Sequence, residues 1–354
     1  MMNLRTPHLL SALIEAAERH GDSHLIATDI TRTSMSYNQL FTRAFILQKK
    51  LRQQLGDNKS VGVLLPNSLG VLVTFVTLQM LGKVPAMLNF SAGEKNILHA
   101  CNLATLTTIL TSRAFIEKGN LQNIAAALEK NYKVIYLEDI RPTVTIFDKI
   151  FALVKAVFAK EILGKTIRGT NPDSPAVILF TSGSEGAPKG VALSHNNLLS
   201  NINQACAVLA LTPSDILFNA MPVFHSFGLT IGMLLPLMRG INMFLYPSPV
   251  HYRIVPEMIY DIDATVMLGT DTFFNGYARY AHPYDFHSVR LAVAGAEKLK
   301  ESTRHLYAEK FAVNIMQGYG VTEASPVISF NTMIEHKTGS VGRPFPRIEC
   351  KLEP

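Results

Sequence analysis

Apolar positions along the chain follow two alternating patterns. Short runs rich in β-branched residues are separated by longer stretches in which apolar residues recur at helical spacing. This alternation is typical of parallel sheets covered by helices, and it therefore predicts the α/β fold class. The predicted strands lie at 61–65, 106–110, 133–137, 176–180, 216–220, 241–246, 264–268 and 291–294, and the predicted helices include 69–81 and 121–130.

Two stretches without Asp, Glu, Lys or Arg, at 60–82 and 216–238, approach the length of a membrane span. A span needs about 20 mostly apolar residues. The first stretch is interrupted by Pro66, Asn67 and Ser68, and the second by several Pro, Gly and His residues. We therefore interpret each as a buried strand, a turn and a buried helix rather than as a membrane span.

The segment 145–165 has large apolar residues at helical spacing with lysines among them. A basic amphipathic helix with Phe on its apolar side can lie on an anionic bilayer. Any surface helix that packs on a sheet shows the same periodicity. The sequence favours the ordinary packed helix and leaves peripheral contact with an inner membrane as the alternative.

Composition limits the classes of function. The chain of 354 residues is 48% hydrophobic, 17% charged and has a formal net charge of +6. That charge suits nucleotide phosphates, anionic lipids or an acidic protein partner. A nucleic-acid partner is not expected, because no dense Lys/Arg run occurs and Trp is absent. The three cysteines lie far apart without metal-ligand spacing, which indicates a reduced, cytoplasmic chain.

The strongest chemical signal is the sequence TSGSEGAPKG at 181–190, directly after a predicted strand. Glycines let the backbone turn sharply, and successive N–H groups with hydroxyls form a concavity for anionic oxygens. Lys189 adds a positive charge that can meet phosphate. The spacing differs from that of the Walker loop. The segment therefore predicts a phosphate-binding loop rather than a plain flexible turn.

Three weaker motifs also follow predicted strands. In QGYGVTE at 317–323, glycines leave room for a ring to stack on the tyrosine, and a hydroxyl and a carboxylate suit phosphate and magnesium. GAE at 295–297 places small residues at the carboxyl end of a strand, where α/β proteins bind ligands. FHSFG at 224–228 holds a histidine among phenylalanines, which alone is typical of a packed core residue.

His24 and Asp29 have the spacing at which lipid acyltransferases orient a general-base histidine. With eleven histidines in the chain, one such match is expected by chance. The pair lies at a predicted strand, 25–29, away from the glycine-rich motifs. The sequence therefore does not favour an acyltransferase site here.

The two long motifs, together with VGVLLPN at 61–67 and MPVFH at 221–225, resemble the acyl-adenylate-forming (AMP-binding) superfamily. This group contains acyl-CoA synthetases, fatty acyl-AMP ligases, luciferases and the adenylation domains of peptide synthetases. The resemblance covers essentially the whole chain. It implies two α/β lobes, each a parallel sheet covered by helices, within a large AMP-binding domain at 1–330. It also implies the start of a β-rich subdomain at 331–354.

A narrower resemblance rests on HSFGLT at 225–230, YPSPVHYRIVPE at 246–257, PYDF at 283–286 and VAGAEKL at 293–299. Glu185, where most relatives have Thr, belongs to the same pattern. These segments are similar to bifunctional enzymes that charge a fatty acid onto acyl carrier protein and re-acylate 2-acylglycerophosphoethanolamine. The resemblance implies ATP and Mg²⁺ as cofactors, and a location in the cytoplasm or at the cytoplasmic face of the bacterial inner membrane.

The resemblance also implies roles by position. The phosphate loop would comprise Thr181, Ser182, Gly183, Ser184, Gly186 and Lys189. The rest of the nucleotide site would comprise Gly295, Ala296 and Glu297 along the purine, Tyr319 on the adenine and Thr322 at the α-phosphate. Glu323 would hold magnesium, so that Thr322, Glu323, Lys189 and His225 form the catalytic set. The acyl pocket would include His225, Phe227 and Gly269. Glu185 would point away from the phosphates or help to hold metal.

Two parts of such enzymes are not found in the sequence: the C-terminal lid domain and the acyltransferase domain that would act on lysophospholipid. The chain therefore looks like part of a longer protein, and we expect it to turn over poorly alone. The nearest alternatives are a long-chain fatty acyl-CoA synthetase, with CoA as acceptor, and a fatty acyl-AMP ligase. A non-catalytic acyl- or nucleotide-binding module is the alternative of another class.

Overall fold

The structure, a computed structural model, describes residues 7–182 and 188–351, apart from the side chain of Ser182. Its strands are β1 (Leu25–Asp29), β2 (Ser34–Ser36), β3 (Ser60–Leu64), β4 (Val84–Met87), β5 (Thr108–Thr111), β6 (Lys133–Tyr136), β7 (Pro175–Ser182), β8 (Pro188–Ser194), β9 (Ile216–Asn219), β10 (Asn242–Leu245), β11 (Val266–Gly269), β12 (Leu291–Ala294), β13 (Ile315–Gly320), β14 (Val327–Phe330) and β15 (Arg343–Pro344).

The α-helices are α1 (Leu9–His20), α2 (Tyr37–Leu55), α3 (Leu69–Met80), α4 (Glu94–Leu103), α5 (Arg113–Lys118), α6 (Gln122–Asn131), α7 (Leu137–Ile140), α8 (Ile146–Val157), α9 (Ala159–Ile167), α10 (His195–Val208), α11 (Leu235–Arg239), α12 (Ile254–Asp261), α13 (Asp271–Ala278) and α14 (Glu301–Phe311). Short 3-10 turns occur at Arg141–Thr143, Pro283–Phe286 and Thr322–Ala324. The segment Phe227–Leu234 is a π-helix.

The chain divides into two compact units. Unit 1 comprises residues 1–25 and 34–199, and unit 2 comprises residues 26–33 and 200–354. The segment 26–33 therefore belongs to unit 2, although both of its flanks belong to unit 1. The boundary at residue 330, which the resemblance implies, stays a prediction.

Unit 1 is built on a sheet with the strand order β6-β5-β3-β4-β7-β8. All pairs are parallel except β7 with β8. A strand that is buried on both faces of its sheet has a continuous apolar sequence, and β3 is buried from Val61 to Leu64. Helices of this unit cover the sheet, so the predicted α/β architecture is confirmed.

The two uncharged stretches fold as predicted. The first contains β3 and α3, and the Ser68 hydroxyl caps α3 by accepting a hydrogen bond from the N–H of Val71 at 3.3 Å. The second contains β9, the π-helix and α11. Within the described residues, no helix is long and apolar enough to cross a membrane.

Unit 2 is built on a second sheet, in which the strands follow the order β15-β14-β13-β12-β11-β9-β10-β1. The strands from β13 to β1 pair in parallel, whereas β14 and β15 are antiparallel. The chain passes from β9 to β10 on one side and then returns to β11 on the other side of β9. This reversal creates a topological switch point at the carboxyl ends of β9 and β11, the place where open α/β sheets bind ligands.

The segment 145–165 forms α8 and α9 with a break at Phe158. Asp148, Ala152 and Ala156 form the buried side of α8, which packs on α2. The large apolar residues of this helix are exposed instead. The interpretation of a helix with its apolar side on the sheet is therefore wrong.

Candidate functional site

In unit 1, the predicted phosphate loop lies in a β-hairpin formed by β7 and β8. Thr181 pairs with Lys189 across the hairpin, and the Lys189 side chain is exposed. Directly paired residues have neighbouring Cβ atoms, so the side chains of Thr181 and Lys189 start next to each other on the two strands. The sequence did not predict the returning strand β8. Gly183, Ser184, Glu185 and Gly186, and the side chain of Ser182, lie outside the described residues.

In unit 2, the loop after β9 is tightly wound. The His225 N–H donates to the Pro222 carbonyl at 3.0 Å, and the Leu229 N–H donates to the His225 carbonyl at 2.9 Å. A Cβ on Gly228 would lie 2.3 Å from the carbonyl oxygens of both Met221 and Pro222, so only glycine fits. The π-helix begins one residue earlier, and π-turns occur frequently at functional sites.

His225 projects from this loop with an exposed side chain. Its ring centroid lies 4.7 Å from that of Phe224. The surrounding protein desolvates the rest of the ring, and this desolvation lowers the pKa of His225 below its usual value. At neutral pH the imidazole is therefore uncharged and can offer either a donor or an acceptor to a ligand.

The carboxyl ends of β11 and β12 meet beside the same loop. The Gly295 N–H donates to the Gly269 carbonyl at 3.1 Å. A Cβ on Gly295 would lie 3.3 Å from Cε1 of Phe227, and one on Gly269 would lie 3.0 Å from Cε2 of Phe274. The structure thus brings together Phe227 and Gly295, which the sequence assigned to the acyl pocket and the purine site.

The next two residues complete this turn. Ala296 has a φ of 64°, a left-handed conformation that residues with a side chain rarely adopt. The Glu297 carboxylate accepts hydrogen bonds from the Thr272 N–H at 3.0 Å and the Thr272 hydroxyl at 2.8 Å. Glu297 therefore supports the first turn of α13, a role that the sequence did not predict. Its predicted place along the purine stays a prediction.

The motif QGYGVTE at 317–323 lies at the irregular end of β13. The register shifts between Tyr319 and Gly320, and the Tyr319 side chain is 49% exposed, which leaves a ring face open for stacking. Thr322 and Glu323 begin the next 3-10 turn, and the carboxylate of Glu323 is exposed. The Thr322 hydroxyl lies 3.3 Å from the Ser226 hydroxyl in the loop after β9. The fold therefore joins two motifs that lie 96 residues apart.

Ser226 is the site residue that sequence reasoning missed. Its side chain is buried, and its hydroxyl faces Thr322. The only available signal was its position between His225 and Phe227, because a lone serine has no distinctive spacing.

Magnesium fits the donor set that the structure offers. Among the described residues, no group of three or more His, Cys, Asp or Glu side chains could hold a metal alone. Mg²⁺ in nucleotide sites is typically held by one or two carboxylates together with substrate phosphates. The exposed carboxylate of Glu323, next to the Thr322 hydroxyl, matches that arrangement.

Asp29 has a local role that differs from general-base chemistry. Its carboxylate accepts hydrogen bonds from the N–H and hydroxyl groups of Thr31, at 3.0 and 2.6 Å. His24 stacks near Tyr37, with the ring centroids 6.3 Å apart.

The chain is similar to several proteins of known function. The chain is 26% identical to the long-chain-fatty-acid–CoA ligase of Yersinia pestis over 98% of this chain and 66% of that protein. It is 24% identical to 4-coumarate–CoA ligase 1 of Petroselinum crispum over 96% of this chain and 62% of the relative. The chain thus spans about two thirds or less of the length of these relatives.

Solved structures show the same fold. A benzoate CoA ligase from Burkholderia xenovorans superposes with a TM-score of 0.78 at 21% identity, covering 96% of this chain and 66% of that one. The anthranilate CoA ligase AuaEII, solved with anthranoyl-AMP, gives 0.79 at 18% identity, covering 96% and 64%. A family model described as AMP-binding enzyme matches residues 13–353. The chain therefore belongs to the AMP-binding enzyme family.

Proposed function

We propose that the protein activates a fatty acid with ATP, forming an acyl-adenylate and releasing pyrophosphate. The contact between Ser226 and Thr322 is the observation on which this proposal mainly rests. This contact joins the loop that we assign to the carboxylate passage and the motif that we assign to the α-phosphate. Family membership and the long-chain-fatty-acid–CoA ligase relatives support the same chemistry.

In this reaction the carboxylate oxygen attacks the α-phosphorus of ATP, and the bond to pyrophosphate breaks. Negative charge on the phosphate oxygens is then stabilised by preorganised donors. We assign Thr322 to the α-phosphate, and we assign Thr181, Lys189 and their loop to the β- and γ-phosphates. Mg²⁺, when bound at Glu323, would neutralise phosphate charge.

The acyl side of the site is assigned to His225, Phe227 and Gly269. The neutral imidazole of His225 can approach a carboxylate without transferring a proton to it, because desolvation keeps its pKa low. Phe227 supplies apolar surface against Gly295, and Gly269 ends β11 without a side chain. This combination suits a carboxylate on an apolar chain.

We further propose that acyl carrier protein accepts the acyl group through its phosphopantetheine thiol. The acyl product would feed re-acylation of lysophospholipid at the cytoplasmic face of the inner membrane. The narrower sequence resemblance and the basic charge of the chain, which complements an acidic carrier, support this acceptor. The relatives named as CoA ligases favour CoA as the competing acceptor.

The acceptor is tested with the full-length protein, ATP, magnesium and a labelled fatty acid, offering acyl carrier protein and CoA in parallel. We expect the label on acyl carrier protein with little acyl-CoA. Preferential labelling of CoA would contradict acyl carrier protein as the acceptor and leave the proposed adenylation chemistry unaffected. Failure to form acyl-adenylate and pyrophosphate from the fatty acid and ATP would contradict the proposed function itself.

The adenine site is tested by Tyr319→Ala, measured as equilibrium binding of ATP. Base–aromatic stacking contributes about 1–3 kcal/mol, so we expect Kd to rise by about 5- to 150-fold. Tyr319→Phe keeps the ring and should bind ATP like the wild type. Tyr284, which is also exposed, provides the matched control Tyr284→Ala. An unchanged Kd for Tyr319→Ala would remove this residue from the proposed site.

A further inference from the structure

The outer side of α8 is a largely exposed apolar surface. Every large apolar residue from Ile146 to Phe158 exposes at least 51% of its surface. We call this surface the α8 apolar face. A contiguous exposed apolar surface in a folded protein marks an interaction site or an aggregation hazard.

The geometry of α8 separates three kinds of residue. With about 100° between successive residues, Asp148, Ala152 and Ala156 lie within about 40° of Ala152 on the buried side. The large apolar residues occupy a continuous outer arc of about 160°. Lys149 and Lys155 lie between these two sides, about 60° to either side of Ala152. Both borders of the α8 apolar face are therefore cationic.

The fold holds α8 firmly in this orientation. Thr145 and Asp148 form a capping box at its first turn, with hydrogen bonds of 3.2 and 2.9 Å. The Asp148 carboxylate lies 2.6 Å from the ammonium groups of both Lys49 and Lys50 of α2. The helix therefore presents its large apolar residues outward as a stable feature of unit 1.

Helices α2 and α8 carry a net positive charge. Helices α2 and α8 contain six Lys or Arg residues and a single acidic residue, Asp148, which is buried between two lysines. Lys155 lies 5.9 Å from the ring of Phe45 on α2. Arg43 of α2 lines an open recess of about 450 Å³ together with Leu153 of the face; Asp22 is the acid in that lining.

We propose that the α8 apolar face docks the protein on an anionic lipid surface. Interfacial helices bury an apolar side at the headgroup boundary and place Lys or Arg toward anionic headgroups. The stems of Lys149 and Lys155 can lie along the apolar boundary while their ammonium groups reach the phosphates. A protein partner would have to neutralise the same lysines with acids of its own. The proposal does not depend on the chemistry proposed for the site.

The first test measures co-flotation of the full chain with vesicles. We expect binding to vesicles of equal parts phosphatidylcholine and phosphatidylglycerol, weaker binding to pure phosphatidylcholine, and a decrease with salt. The variant Phe147→Gln/Phe151→Gln/Val157→Gln should lose about tenfold or more of this affinity. For Lys149→Glu/Lys155→Glu, the affinity for anionic vesicles should fall by about fivefold per lysine, and the affinity for neutral vesicles should not change. Ile334→Gln, at a residue that is 96% exposed in unit 2, is the matched control.

The second test uses the absence of tryptophan from the chain. Phe151→Trp places a single fluorophore on the α8 apolar face, and Ile334→Trp places one elsewhere. Anionic vesicles should shift the emission of the first to shorter wavelength, and lipids brominated on the acyl chains should quench it. The emission of the second should not change.

Three results would overturn the proposal. They are no co-flotation of the wild type, equal binding to neutral and anionic vesicles, and a concentration-dependent oligomer that the Gln variant abolishes without any vesicle binding. The last result would show that a second protein copy covers the face. Because the substituted side chains are exposed, unchanged thermal unfolding of the variants is expected and verifies their folding.

Discussion

His8 and His195 form a buried pair inside unit 1. Their rings stack with centroids 3.7 Å apart. Nδ1 of His8 accepts a hydrogen bond from the Leu10 N–H, and Nδ1 of His195 accepts one from the Leu9 N–H. Desolvation lowers the pKa of His8 to about 4, and desolvation together with His8 lowers that of His195 to about 3. Both rings are therefore neutral in the folded protein at physiological pH.

This pair predicts acid sensitivity. Above about pH 6.5 both histidines are unprotonated in the folded and in the unfolded chain. Below that pH only the unfolded chain protonates them, so the free energy of unfolding falls as the pH drops toward 4. Each histidine contributes a slope of up to about 1.4 kcal/mol per pH unit. His8 is the N-cap of α1, and His8→Asn keeps a side chain that can cap the helix while it removes one titrating group. The free energy of unfolding should therefore depend less steeply on pH. Chemical denaturation between these pH values measures the slope.

The exposed His99 on α4 offers a control, since His99→Asn should leave the slope near that of the wild type. An equally steep slope in His8→Asn would show that the buried pair does not control the acid response.

At the residue scale, the sequence singles out the motifs that follow apolar strands. Thr322 and Glu323 lie in one such motif and Gly295 in another, whereas Gly269 is implied only by the family resemblance. The contact of Ser226 with Thr322 could not be predicted, because it depends on how β9 and β13 are placed in one sheet. The binding of Glu297 to Thr272 likewise depends on tertiary structure.

At the scale of elements, Asp215 connects the amino ends of several strands. It precedes β9 and accepts hydrogen bonds from the Thr212 N–H at 2.7 Å, the Thr265 hydroxyl at 2.6 Å and Arg290 Nε at 2.8 Å. Thr265 precedes β11, and Arg290 precedes β12. Burial alone would raise the pKa of Asp215, but the hydrogen bonds outweigh it, and the net shift is downward.

We predict that Asp215→Asn lowers the free energy of unfolding by about 1.5–3 kcal/mol, since hydrogen bonds to a charged group are lost or weakened. Because the folded pKa is depressed, the wild type keeps this contribution above about pH 4 and loses it as the pH falls through the folded pKa. Denaturant unfolding at neutral and acid pH measures both effects.

Asp139→Asn is the matched control, because its ion pair with Arg113 is exposed on both sides and solvent screening leaves it little effect on stability. Equal losses in the two variants would contradict a special role for Asp215.

Most elements of the fold could be predicted from their period, but their orientation could not. The strands β3, β9 and β12 lie where the apolar runs indicated. The periodicity of α8 was recognised, yet it did not tell which side faces the protein. Ala152 and Ala156 allow close packing on α2, and the larger residues point outward. The strand β8 was missed because its polar sequence resembles a loop.

At the scale of the whole molecule, the chain order does not follow the division into units. Residues 26–33 lie within the sequence of unit 1 and fold with unit 2, where Ala27 of β1 pairs with Met243 of β10. Ala27 is fully buried. The stability of unit 2 therefore depends on a segment encoded more than 160 residues before the rest of its sequence.

Ala27→Pro should consequently destabilise unit 2. Proline fixes φ and removes a donor, so it disrupts the parallel pairing of β1 with β10. In hydrogen exchange with mass spectrometry, the amides of β9, β10 and β11 should exchange faster than in the wild type. The amides of β5 and β6 should change less. A response confined to the residues next to Ala27 would contradict this dependence.

We expect the two sides of α8 to tolerate different substitutions. Ala152 and Ala156 lie buried against α2, where a larger side chain would push the helices apart. The large residues of the outer arc are at least half exposed, so Ile, Leu, Val and Phe can replace one another there at little cost to folding. Substitutions within the outer arc can thus change the affinity for a lipid surface without changing the packing of unit 1.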